Sequence, residues 1–175
     1  VISGATPTDY NGTYVITKTG ATTFTYTMAT TPASNATVVG SYIVSFGVEG
    51  VDPKTFVHVN LFKNRLYFVQ KDTLSAWYFK PEEIGGDVYQ LDFGSIARNG
   101  GYLQAMGTWT IDAGQGADDY AVWATNMGEV IVYNGTDPSD PNNWALKGVW
   151  QFGFVFARRC FYKFAGDLLM LSQDG

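Results

Sequence analysis

The sequence predicts an all-β protein: a small Thr-rich antiparallel module over residues 1–40, then the antiparallel blades of a partial β-propeller over residues 41–175. Three observations carry that expectation. Aromatic residues make up 16% of the chain and charged residues only 15%, and aromatic and β-branched side chains suit a pleated, half-buried surface. Helical spacing is scarce, since its best stretch, Lys80-Pro81-Glu82-Glu83-Ile84, is cut short by Gly85-Gly86. A strand–turn–strand unit also recurs, starting at Leu66, Tyr120 and Leu168, at intervals of roughly 50 residues that match the spacing of propeller blades.

Taken in order, Asp9-Tyr10-Asn11-Gly12 carries an Asn-Gly pair of the hairpin type. Residues 13–17 and 23–27 alternate Thr with larger side chains and flank the turn Lys18-Thr19-Gly20-Ala21, so they read as a hairpin with one polar Thr face. Residues 30–37, rich in Thr, Pro, Ser and Asn, lead away as a linker. Beyond residue 41, Leu66-Tyr67-Phe68-Val69-Gln70 and Ser75-Ala76-Trp77-Tyr78-Phe79 flank a turn at Lys71-Asp72-Thr73-Leu74. The plan repeats in residues 120–133 around Thr125-Asn126-Met127-Gly128, and a third copy opens at Leu168. Each copy follows a further apolar segment, at residues 56–62, 103–109 and 159–164, which makes blades of three or four strands the economical arrangement. A sandwich or a simple meander would use the same strands. The turn pair Asp174-Gly175 after an apolar run, with strand-like Val1-Ile2 at the other end, leads to the expectation that the chain is a piece of something longer, stopping inside a hairpin.

Charge narrows the partners. At a net charge of −5 and a pI near 4.6, the chain has no basic stripe with which to neutralise phosphates, so tight nucleic-acid binding is not expected. An acidic wall past which DNA slides is compatible with the same charge. The single cysteine, Cys160, permits no internal disulfide and no Cys pair to clip a metal. No signal peptide and no apolar run of about 18 residues is present, so the chain reads as soluble, without a membrane anchor and made in a reducing cytoplasm.

Catalysis finds little support. His58 is the only histidine and sits in an alternating strand, where an imidazole is usually structural, and neither a Gly-x-Ser-x-Gly elbow nor a His-Glu-x-x-His helix occurs. The carboxylates of Asp112, Asp118 and Asp119 cluster around a glycine-broken loop but miss the alternating pattern of a calcium hand. Asp137 and Asp140 belong to a run of turn residues, and Glu82-Glu83 would point to opposite faces of a strand. No catalytic residue, metal or cofactor is therefore assigned. Five tryptophans suit packing between blades, with sugar binding as the competing use. Arg158-Arg159, the one adjacent basic pair, suits a subunit contact to a carboxylate as well as a phosphate contact.

Several phrases resemble structural tail proteins of tailed bacteriophages. They are residues 61–69 (LFKNRLYFV), 105–112 (AMGTWTID) and 128–138 (GEVIVYNGTDP), with Arg158-Arg159-Cys160 and Gly166-Asp167-Leu168-Leu169. The closest group is the nozzle, or tail tubular protein B, class of short-tailed phages, and residues 3–14 are similar to small Thr-rich modules of virion proteins. The resemblance covers most of residues 56–175 and includes no catalytic motif. It implies a non-enzymatic propeller-bearing subunit of a hexameric homo-oligomeric ring in the virion tail, made in the host cytoplasm. Such a ring contacts the adaptor or portal and the tail fibre proteins, and double-stranded DNA passes through it without specific binding. Asp112, Asp118, Asp119, Asp137 and Asp140 are then candidates to line an acidic channel, and Arg158 and Arg159 to form subunit contacts. No gate residue is carried over. A carbohydrate-binding propeller or phage adhesin is the alternative.

Overall fold

The computed structural model describes residues 1–43, 47–112 and 117–173, with the side chains of Asp112 and Ala117 also outside the description. The protein is all-β, 48% strand and 4% helix, and among the described residues none of the sheets closes on itself. It divides into two compact units, residues 1–46 and 47–175.

The described residues of the first unit form four short strands: β1 (Ile2–Ser3), β2 (Ile16–Lys18), β3 (Phe24–Tyr26) and β4 (Ser41–Tyr42). β1 pairs antiparallel with β4 and β2 with β3. The expected hairpin over 13–27 is present but shorter, its turn closed by Thr19 and Gly20 N–H groups donating to the Thr23 carbonyl. Asn11-Gly12 does not form a hairpin tip. Instead the Asn11 amide reaches back to both the N–H and the carbonyl of Ala5, at 2.8 and 3.0 Å, and Gly12 bridges Ile2. That local side-chain alternative to a turn is what Asn offers the backbone. Among hydrophobic residues described here only Ala5 is buried, and aromatic contacts such as Tyr14–Tyr26 and Phe24–Tyr42 stand in for a core.

The second unit carries β5 (Val48–Glu49), β6 (Phe56–Phe62), β7 (Arg65–Gln70), β8 (Ser75–Tyr78), β9 (Gly86–Asp87) and β10 (Tyr89–Asp92). Then follow β11 (Leu103–Asp112), β12 (Ala117–Thr125), β13 (Glu129–Gly135), β14 (Trp144–Gln151), β15 (Phe161–Phe164) and β16 (Asp167–Met170). Two four-stranded antiparallel sheets result, in the orders β6-β7-β8-β10 and β11-β12-β13-β14, each a meander. β15 and β16 form a separate hairpin, and β5 pairs in parallel with β9 on the excursion between β8 and β10. Residues 66–79 and 120–133 thus fall in hairpins of different sheets, with Phe68 opposite Trp77 in one and Val122 opposite Val132 in the other. Their turns need left-handed backbone: Asp72 takes φ 54° in the first and Gly128 φ 85° in the second. The expected turn at Asp174 and Gly175 lies outside the described residues.

Burial explains why the two sheets read differently in sequence. β7 alternates, with Arg65, Tyr67 and Val69 buried and Leu66, Phe68 and Gln70 half-buried, as a strand with one covered face should. In β12 and β13, Ala121-Val122-Trp123-Ala124 and Val130-Ile131-Val132-Tyr133 are buried throughout, because this sheet is covered on both faces. On one side Tyr67, Tyr78, Phe93, Trp123, Tyr133 and Trp144 build an aromatic seam against the first sheet, its ring centroids spaced 4.9–6.4 Å. On the other, Val122, Val130 and Val132 meet Phe161, Leu168 and Met170 of the β15–β16 hairpin. The tryptophans of the seam are consumed by packing, as large flat side chains between sheets usually are.

Candidate functional site

The first strands of the two sheets and of the hairpin lie side by side. Their edges are joined by side chains instead of a backbone ladder. His58 Nε2 lies 2.9 Å from the Met106 carbonyl, Thr108 Oγ1 donates to the Leu61 carbonyl at 3.3 Å, and Asn60 Nδ2 donates to Thr108 Oγ1 at 3.3 Å. Across the next boundary Lys163 Nζ donates to Thr110 Oγ1 at 3.1 Å. Edge carbonyls used in this way are unavailable to a foreign strand. Burial, helped by the charge of Arg158, holds the His58 pKa below its ordinary value. The imidazole is therefore a neutral donor tying β6 to β11, and among the described residues no acidic or basic side chain is hydrogen-bonded to it.

These strands floor a groove of about 840 Å³. Val59 and Leu61 of β6 and Tyr162 of β15 supply apolar surface to it, 56%, 60% and 68% exposed. Its charged lining is Arg158, Arg159 and Lys163, with no carboxylate among the described lining residues. Arg158 Nη1 is buried and meets no hydrogen-bond partner among the described residues. A chain of net charge −5 thus gathers three of its cations along one concave surface.

Of the five carboxylates singled out in the sequence, Asp118, Asp119, Asp137 and Asp140 are not among the residues that line the groove. Asp119 accepts from Thr110 Oγ1 at 2.7 Å and lies 3.4 Å from Lys63 Nζ, and the Thr110 hydrogen bond and the lysine lower its pKa. Asp137 accepts from the N–H and the hydroxyl of Ser139 and lies 3.1 Å from Arg65 Nη2, contacts that also lower its pKa. Asp140 caps its turn by accepting from the Asn142 N–H. Asp118 is exposed on β12, and the side chain of Asp112 lies outside the described residues. Among the described residues no three His, Cys, Asp or Glu side chains converge as a metal site would require. Burial pushes the Cys160 thiol up to about 11, so it stays protonated inside the fold.

Comparisons with protein-family models, curated proteins and solved structures give no match. Among the described residues no helix is long and apolar enough to cross a membrane. Sequence reasoning found Arg158 and Arg159 as a pair but missed Lys163, whose place beside Phe161 and Tyr162 in an alternating strand was the available signal. Nothing local in sequence brings residues 58–61, 106–108 and 158–163 to one surface.

Proposed function

We propose that this chain is a non-enzymatic structural subunit of a short-tailed phage virion, its sheets serving as β-propeller blades in a nozzle or hub ring on the tail axis. The observation that carries the reading is the repetition of one plan. Two consecutive four-stranded meanders pack face to face with their first strands adjacent, and the β15–β16 hairpin begins the same order on the next face. Blades stacked about an axis have this relation, and the tail-protein phrases fall on β6–β7, β11 and β13. A ring of such stiff subunits bounds a channel, and the net negative charge lets DNA of like sign pass without being held. Asp118 and Asp140 are the channel-facing candidates least engaged by cations.

Fractionating purified particles tests it. The protein should remain with portal and adaptor when tail fibres are stripped, and loss together with the fibres would remove the reading. A carbohydrate-binding role draws on one observation, the run Trp150, Phe152, Phe154 and Phe156, each 48–75% exposed, since aromatic faces stack on sugars. Binding to a glycan array that is lost in W150A would favour that second reading.

A further inference from the structure

We infer that the basic groove receives the acidic tip at residues 81–84 of a neighbouring copy of the same chain. The tip and the groove are complementary in two respects. Pro81, Glu82, Glu83 and Ile84 are all exposed, Ile84 at 69%, so the tip offers two carboxylates beside one bare aliphatic side chain. The groove offers Arg158, Arg159 and Lys163 beside Val59 and Leu61. Among the described residues neither glutamate is held in an ion pair. The nearby cation Lys80 is drawn over the Tyr89 ring, 5.5 Å from its centroid.

The tip is also held in shape before any contact. Glu82 sits at φ 64°, its N–H donates to the Asn64 carbonyl, and the Glu83 N–H donates to Lys80. A pre-shaped segment loses less freedom on docking. Planar guanidinium forks suit carboxylates better than point charges do, and Arg159 presents an exposed one at the groove. Duplex DNA fits less well, because Val59 and Leu61 would face phosphates.

Tip and groove share no residue, so the contact is head to tail, the kind that generates rings when its rotation closes. The inference rests on the ring proposed above. Its test is separate, because it is read in solution, whereas the ring reading is decided by where the protein sits in the particle. Sedimentation of the full chain at about 100 μM in low salt should show self-association that weakens at least about tenfold as salt rises, since the pairing is ionic.

R158E/R159E should abolish association, as should R159E/K163E, which spares the partly buried Arg158, and so should E82K/E83K on the exposed tip. Mixing a groove-reversed with a tip-reversed variant should restore it, because each supplies the partner that the other lacks. Circular dichroism confirms that each variant is folded. A wild-type chain that stays monomeric overturns the inference. So does association that survives the reversals, or a mixture that stays monomeric. Binding of an oligonucleotide that disappears in R159E/K163E would assign the groove to nucleic acid instead.

Discussion

Replacing Arg65 with methionine tests whether the two sheets are tied by a buried charge. The Arg65 side chain is 6% exposed, while its partner Asp137 is 37% exposed. From β7 the guanidinium donates to the Thr136 carbonyl at 3.1 Å, reaches Asp137 at 3.1 Å and stands 5.7 Å from the centroid of the Tyr78 ring. Methionine keeps the apolar stem and removes all three contacts. A hydrogen bond to a charged group is worth about 1.5–3 kcal/mol, and breaking a fully buried pair costs about 3–5 kcal/mol. Because Asp137 can rehydrate, the lower range applies, and R65M should cost about 2–3 kcal/mol. With a urea slope of about 2 kcal/mol per molar, the midpoint falls by about 1 M with the slope unchanged. D137N leaves the guanidinium, 6% exposed, without its counter-charge, so it should lower the midpoint by a comparable amount even though asparagine can still accept a hydrogen bond. A midpoint within about 0.2 M of wild type for R65M would refute the claim that this arginine joins the sheets.

Further outcomes follow from other contacts. Gly128→Ala should destabilise by more than about 1 kcal/mol, because φ is 85° there and an added Cβ would collide with the Phe152 carbonyl; a neutral midpoint would contradict the turn. His58, neutral and half-buried, has a lowered folded pKa, so the unfolded chain binds more protons and stability should fall as pH drops below about 6.5. H58Q should flatten that part of the pH profile, leaving the later loss near pH 4 that comes from Asp119 and Asp137. Residues 47–175 should keep their β signal in circular dichroism when residues 1–46 are removed, since the two units have separate internal contacts. Cys160, 2% exposed, should react with a thiol reagent only after unfolding.

The strands that alternate were the ones legible in sequence. Tyr67 and Val69 mark the covered face of β7, and the unbroken apolar runs of β12 and β13 follow from cover on both faces. The first unit was less legible, because side chains decide it: Asn11 closes on Ala5, which no dipeptide preference foretells. The pairing of β5 with β9 is non-local and parallel, joining two strands of two residues each. Charge counting singled out Asp119 and Asp137 without showing that Lys63 and Arg65 already engage them. The groove escaped notice because its cations come from a loop and a strand that only the packing of β15 against β11 brings to His58 and Asn60.

A cryo-electron microscopy reconstruction of the tail in intact particles decides whether these blade-like sheets build an axial ring. Density for this chain should encircle the tail axis, with residues 56–92 and 103–151 resolved as adjacent blades and a third sheet continuing from β15–β16. Density for the chain at the fibre tips, or an axial ring into which these two sheets cannot be placed side by side, would contradict it.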